Sequence, residues 1–238
     1  MILSDLFAEI RDLGFEDDTI FQEYDSIIRT SITRACKLIA TLIKAPTGSL
    51  VFDFKDLGTT TTAIAVGDST AVLNINGKAV TVESGNIATY GGDTLTYIGG
   101  KWQELGRYNL DELTTDINGN IMYDDIDRIV ETTQNGERTF LRYDISPDDI
   151  LVISPSYRGS LTVYYFQRIL PITSDTPGTT TVQVVYPCDP LVALLTAHYV
   201  WLDDDERKAI IYWNEFDQLR AEIEAKAFKL KGRVVGGF

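Results

Sequence analysis

The chain has 238 residues, 44% of them hydrophobic, enough to bury one large core or two smaller ones. Its 35 acids against 21 lysines and arginines leave a net charge of −14, which argues against wrapping nucleic acid through counterion release without excluding a place near DNA, since an acidic wall repels phosphate and lets a strand pass without sticking. No apolar run reaches the ~18 residues of a membrane span, and the acid-bearing opening MILSDLFAEIRDLG lacks the basic and apolar regions of a signal peptide, so a cytosolic product is expected.

Residues 1–45 read as two helices. Ser4 is placed to cap the first, with Leu6, Ile10 and Leu13 on one stripe and Gly14 as its stop. Asp17 or Asp18 is placed to cap the second. Its apolar positions Ile20, Tyr24, Ile27, Ile28, Ile32, Ala35, Ile39 and Leu42 keep three- and four-residue spacing until Pro46, a helix of roughly 25 residues. Between Ser49 and Tyr186 the pattern changes to alternation. SLVFDF reads as a strand, and Asn76-Gly77, Gly99-Gly100 and Asn135-Gly136 each sit between alternating runs, where a two-residue hairpin turn requires positive φ. ILVISPSYRGSLTVYYF reads as a fourth pair joined through Pro155 and Gly159. Helices return after Tyr186: Asp189 caps, Pro190 occupies the first helical position, and Leu191, Leu194, Leu195, His198 and Leu202 fall on one face. A last helix runs to about Lys231 with Tyr212, Phe216, Leu219, Ile223, Ala227 and Leu230 as a coiled-coil-like seam.

The expected fold is therefore α+β, a discontinuous N- and C-terminal helical bundle (1–48 with 187–231) with a large antiparallel β-rich insert (49–186) and a C-terminal arm (232–238). Cys36 and Cys188 lie too far apart in sequence to suggest a disulfide framework and are expected as buried free thiols.

Chemistry-bearing patterns are sparse. His198 is the only histidine, but it lies seven residues after Leu191 on the apolar stripe, which reads as a packed side chain rather than a catalytic base or zinc ligand. In DINGNIMYDDID, Asp116, Asn118, Asn120, Asp124 and Asp127 match calcium-loop spacing, yet Ile121 stands where the sharp turn needs glycine, so a turn between strands is expected instead. The pairs Asp124-Asp125 and Asp148-Asp149 could serve as glycosidase carboxylates but read as solvated loops, and Tyr164-Tyr165-Phe166 reads as strand with alternate members in the core. No phosphate-binding glycine motif is present. The expectation is a protein without catalytic residues, cofactor or metal.

Two stretches carry interaction or architecture instead. Residues 109–150 hold eleven acids against three arginines, whereas 226–238 hold four bases and no acid. In the tail KLKGRVVGGF, Lys229, Lys231 and Arg233 supply charge for an acidic partner, and Val234, Val235 and Phe238 supply apolar anchors. In AHYVWLDDDERKAIIYWNEF, Asp203, Asp204 and Asp205 read as a joint: they break one helix and cap the next, with Trp201 and Trp213 packing the corner.

The helical stretches MILSDLFAEIRDL, TIFQEYDSIIRTSITRACKLIATLI and VVYPCDPLVALLTAHYVWLDDDERKAIIYWNEFDQLRAEI resemble the head-to-tail connector (adaptor) proteins of tailed bacteriophages. The resemblance covers under half of the chain and rests on patterns of apolar residues; the β-rich insert is larger than the family usually carries, and no role transfers onto it. It implies a virion protein of the phage neck, assembled in the host cytoplasm. The homo-oligomer, a dodecameric ring, would sit beneath the portal protein, touch other tail or neck proteins and surround a channel through which DNA passes without specific binding. It also implies that the helical domain forms the ring and that the C-terminal arm docks on the portal. A different reading is a β-rich attachment module in which exposed Tyr90, Tyr97 and Trp102 grip a carbohydrate or receptor.

Overall fold

The computed structural model describes residues 1–15, 18–116, 118–132, 137–155, 157 and 159–234, with the side chains of Asp18 and 227–234 excepted. In chain order the elements begin with helices α1 (Leu3–Asp12), α2 (Asp18–Glu23) and α3 (Asp25–Leu42). Strands β1 (Thr47–Asp53), β2 (Lys55–Thr59), β3 (Val72–Ile75), β4 (Lys78–Thr81), β5 (Asn86–Tyr90), β6 (Asp93–Ile98), β7 (Lys101–Glu104) and β8 (Arg107–Asn109) follow. Next come helix α4 (Leu110–Thr114) and strands β9 (Tyr123–Thr132), β10 (Arg138–Phe140), β11 (Asp144–Ile145), β12 (Ile150–Val152) and β13 (Ser160–Gln167). Helices α5 (Asp189–Trp201) and α6 (Glu206–Val234) complete the set. The protein is thus mixed α+β. It divides into two compact units, Met1–Pro46 with Ile169–Phe238, and Thr47–Arg168.

In the helical unit, α5 is the element on which α1, α3 and α6 all pack. Leu191, Val192, Ala193, Leu195, Thr196, Ala197 and Val200 are all buried, so α5 is surrounded rather than one-faced as its leucine stripe suggested, and Leu202 is exposed. The stripe Leu3, Leu6 and Ile10 of α1 and the stripe Ile28, Ile32, Ala35 and Ile39 of α3 join the same core, with Phe216 and Ile223 from α6. The single long second helix expected from periodicity is broken at Tyr24. Its amide bonds back three residues to the Phe21 carbonyl at 3.2 Å, and its ring packs on Phe15 and Trp201.

The expected caps also differ. The first helix begins at Leu3, before Ser4, and its orphan amides are met by remote carbonyls: Leu3 N–H donates to Thr180 at 2.8 Å and Ser4 N–H to Gly178 at 2.8 Å. Asp189 is the first residue of α5 rather than its cap, and its carboxylate lies 3.1 Å from the Met1 nitrogen. Asp17 lies outside the described residues. The boundary at Tyr186 moves to Arg168, because the segment after it lies on the helices. Ile169, Ile172, Val182 and Val184 pack on their core, Ile172 N–H donates to Thr33 Oγ1 at 2.9 Å, and Arg29 Nη1 donates to the Thr173 carbonyl at 2.8 Å.

Among the described residues, the other unit holds four sheets, ordered β1-β13-β9-β10, β11-β12-β8, β2-β5-β6-β7 and β3-β4. Asn76-Gly77, with φ of 53° and 77°, joins β3 to β4, and Gly99-Gly100, at 62° and 83°, joins β6 to β7, as their sequences predict. The Asn135-Gly136 turn lies outside the described residues. The fourth predicted hairpin does not form: β12 pairs with β8 and β11, while β13 pairs with β1 and β9. A link this long fixes no register, and β13 gains two long ladders instead of one short one. Nor is the unit wholly antiparallel, since β2 runs parallel to β5. One core stacks Phe52, Phe54 and Tyr108 among Leu151, Leu161 and Val163; a second closes around Trp102 with Ile64, Leu73, Val82 and Leu95.

Candidate functional site

The α5–α6 connection is built by Asp205. Its Oδ1 accepts the amides of Arg207 at 3.1 Å and Lys208 at 3.2 Å, and its own N–H donates to the Trp201 carbonyl at 2.9 Å, so one residue ends one helix and starts the next. Asp204 instead accepts the Tyr24 hydroxyl from the N-terminal helices, and that carboxylate pushes the phenol above its ordinary value. Asp203 is exposed.

The two tryptophans do not share a corner. Trp201 lies against Phe15 at 5.1 Å, with Lys208 Nζ 4.2 Å from its ring centre, whereas Trp213 lies against His198 at 5.2 Å and Phe216 at 5.5 Å. His198 donates from Nδ1 to the Ala209 carbonyl at 2.9 Å, which ties α5 to α6 and fixes the tautomer. The arrangement is a joint locked from the N-terminal helices.

Along α6, Lys229, Lys231, Arg233 and Val234 lie on its last turns, and the helix continues through Gly232, past the end expected near Lys231. The arm therefore begins later than residue 232. Side chains of these four residues, and Val235 and Phe238 altogether, lie outside the described residues.

In the β unit, the calcium-like loop closes on itself. Asp116 Oδ1 accepts the amides of Asn118 at 2.8 Å and Asn120 at 2.9 Å, Oδ2 accepts Asn120 Nδ2 at 3.1 Å, and these bonds hold the carboxyl below its ordinary value. Asp124 and Asp127 lie along β9, and among the described residues no group of three or more His, Cys, Asp or Glu side chains is placed to hold a metal ion. Asp149 takes a turn conformation with φ of 55°. Tyr165 is in the core, while Tyr164 lies under the Arg128 guanidinium at 4.3 Å.

Of the three aromatics of the attachment reading, Tyr90 is exposed and Tyr97 half-buried, but Trp102 is not on the surface. Trp102 is 0% exposed and its indole donates to the Thr70 carbonyl at 2.9 Å. A cavity of about 240 Å³ opens beside it, flanked by Lys101, Gln103, Glu104, Arg107 and Glu112. Lys101 faces Glu112 and Arg107 faces Glu104, each at 3.5 Å, and Gln103 Oε1 accepts the Asn109 amide at 3.2 Å. Its polar lining is of charged and amide side chains, without histidine, cysteine or serine. Sequence reading missed this cavity; its only signal was charges spaced around an otherwise apolar hairpin. Cys36 and Cys188 are free and buried, and burial pushes the Cys36 thiol up to about 12 and Cys188 also upward.

No family model and no curated protein matches the chain. Among the described residues, no helix is long and apolar enough to cross a membrane.

Proposed function

We propose that this chain is a structural protein of a bacteriophage neck, a ring of copies joining the portal protein to the tail around the DNA exit channel. On this reading the architecture is a discontinuous N- and C-terminal helical bundle carrying a β-rich insert. The helical unit makes the ring, and the end of α6 with Lys229, Lys231, Arg233, Val234, Val235 and Phe238 reaches the portal. The role is non-enzymatic, and the copies are released into the virion from the host cytoplasm where they assemble.

The observation that carries the proposal is how the helices group. The stretches that resemble the connector family, α1–α3 and α5–α6, are distant in sequence yet share one core around α5. The 29-residue α6, about 43 Å long, outruns the 13-residue α5. A net charge of −14 suits a wall along which DNA slides. Electron microscopy of the protein mixed with portal tests the reading: rings on the portal are expected. A protein that stays at 26.6 kDa with portal present overturns it. Unchanged portal binding after deletion of the residues beyond Lys231 removes the arm contact alone.

A further inference from the structure

We propose that the cavity beside β7 and β8 is a binding site for one neutral sugar residue. The inference concerns the 47–168 unit alone and does not rest on the ring reading.

Two amide side chains fix the polar wall of the cavity. Gln103 is only 8% exposed, and its Oε1 accepts the Asn109 N–H at 3.2 Å. Asn109 is half-buried at the cap of α4, and its Oδ1 accepts the Glu112 N–H at 3.1 Å. A backbone N–H is met only by the oxygen of a side-chain amide, so these two bonds settle which end of each amide is which. The nitrogens are thereby held in place, yet neither Gln103 Nε2 nor Asn109 Nδ2 has a protein partner among the described residues. Both residues line the cavity. A largely buried amide that satisfies its oxygen and leaves its two N–H donors unmet is costly unless a ligand or water takes them up. Here two such groups border the same space.

Charge narrows the ligand. Lys101 and Arg107 stand against Glu112 and Glu104 around the amides, each pair at 3.5 Å and each side chain about half-exposed or more. A wall of zero net charge does not select a phosphate, which the two glutamates oppose, or an amine, which the lysine and arginine oppose. A zwitterion would have to part both ion pairs to be paired itself. Hydroxyl groups need no such exchange, because each accepts from an amide or cation and donates to a carboxylate. Val66 and Ile150 add apolar surface for the C–H face of a ring. The volume of about 240 Å³ lies below the roughly 300 Å³ at which pockets for drug-sized ligands begin, which suits one ring rather than a chain of them.

The side-chain NH2 signals of Gln103 and Asn109 in nitrogen-15 NMR spectra of the full chain read the contact directly. The probes are glucose, galactose, mannose, rhamnose and N-acetylglucosamine, with glycine as the zwitterion and inorganic phosphate as the anion. At least one sugar is expected to move both pairs of signals, with a dissociation constant of about a millimolar, as a ligand of this size allows. Gln103→Glu and Asn109→Asp each keep the oxygen that accepts the backbone N–H and replace the NH2 donors by a second oxygen. Each is expected to weaken sugar binding at least about tenfold. Asp caps a helix as well as Asn does, so Asn109→Asp keeps the test valid where the new carboxylate of Gln103→Glu unfolds the protein, which circular dichroism reports. No shift with any of the five sugars overturns the proposal, as do shifts confined to residues away from the cavity. Response to glycine or phosphate alone overturns the neutral class, and an Asn109→Asp protein that binds like the wild type overturns the amide wall. None of these outcomes bears on the ring reading, which the portal mixture judges.

Discussion

In the unit spanning 47–168, the chain repeatedly reverses within two residues: Ile75 pairs with Lys78, Tyr90 with Asp93 and Ile98 with Lys101. The helical unit closes through partners far apart in sequence. Leu3 bonds to Thr180, Ile172 to Thr33 and Tyr24 to Asp204, while Phe15 stacks on Trp201. Those three hairpins of the first unit are specified turn by turn, although β1–β13 and β8–β12 pair over longer separations, so damage to one hairpin has near neighbours to fall on. The second is specified by pairs that exist only once the whole unit has formed, so loss of one core residue is felt by all its helices together.

The sharpest way to break this contrast is to empty one core at a time. Trp102→Ala removes a fully buried ring and strands the Thr70 carbonyl, and Phe216→Ala empties the α5–α6 contact; each is expected to cost about 3–5 kcal/mol. Hydrogen exchange distinguishes them. Loss of protection for Trp102→Ala should concentrate in β3–β7, whereas for Phe216→Ala it should appear in α1, α3, α5 and α6 together. Equal loss across both units for either variant would sink the contrast.

A smaller effect separates two kinds of glycine inside the β unit. Gly85 has φ of 95°, and a Cβ there would meet the Asp53 carbonyl oxygen at 2.3 Å; Gly77 has φ of 77°, and a Cβ there would meet nothing within 4 Å. Gly85→Ala should therefore cost about 3 kcal/mol, combining backbone strain with displacement of Asp53, against about 1 kcal/mol for Gly77→Ala from strain alone. Urea midpoints read the difference directly. Similar midpoints would mean that the Asp53 approach relaxes freely.

What was legible follows the same division. The Asn76-Gly77 and Gly99-Gly100 turns, the start of α5 to within a residue of Pro190 and the Phe216–Ile223 seam are written in a few adjacent residues, and periodicity or turn chemistry finds them. The Tyr24 break, the capping of α1 by residues 178–180 and the packing of Ile172 and Val182 on the helices depend on groups more than a hundred residues away, about which local spacing is silent. The pairings of β12 and β13, the parallel β2–β5 ladder and the cavity beside Trp102 escaped as well, because their partners, though nearer in sequence, still lie beyond the reach of local spacing. The acidic joint was legible as punctuation, but not the division of labour within it, because Asp204 is engaged by a tyrosine from the opposite end of the chain.

That division gives the next prediction. Asp205→Ala removes an acceptor for two backbone amides and should cost about 1 kcal/mol, while Asp203→Ala should stay within about 0.5 kcal/mol. Thermal unfolding of the two variants ranks them. Equal losses would mean that the joint is held by its charge rather than by the one cap.

The smallest effect is one of pH, and it concerns the β unit's counterpart of that cap. Asp116 also gathers local amides, those of Asn118 and Asn120, and these bonds together with Asn120 Nδ2 lower its pKa from the ordinary 3.8. A depressed carboxyl contributes stability that is present above its unfolded value and lost as pH falls through its folded one. The unfolding free energy of the wild type relative to Asp116→Ala should therefore be constant well above 3.8 and shrink below it. Because the loop is exposed and its bonds span at most four residues, the change should remain local: the amides of Asn118 and Asn120 should lose exchange protection on acidification before the flanking β9 ladder does. A gap between the two proteins that widens as pH falls would mean that the carboxyl is held in its protonated form, and the loop would then not be a counterpart of the Asp205 cap.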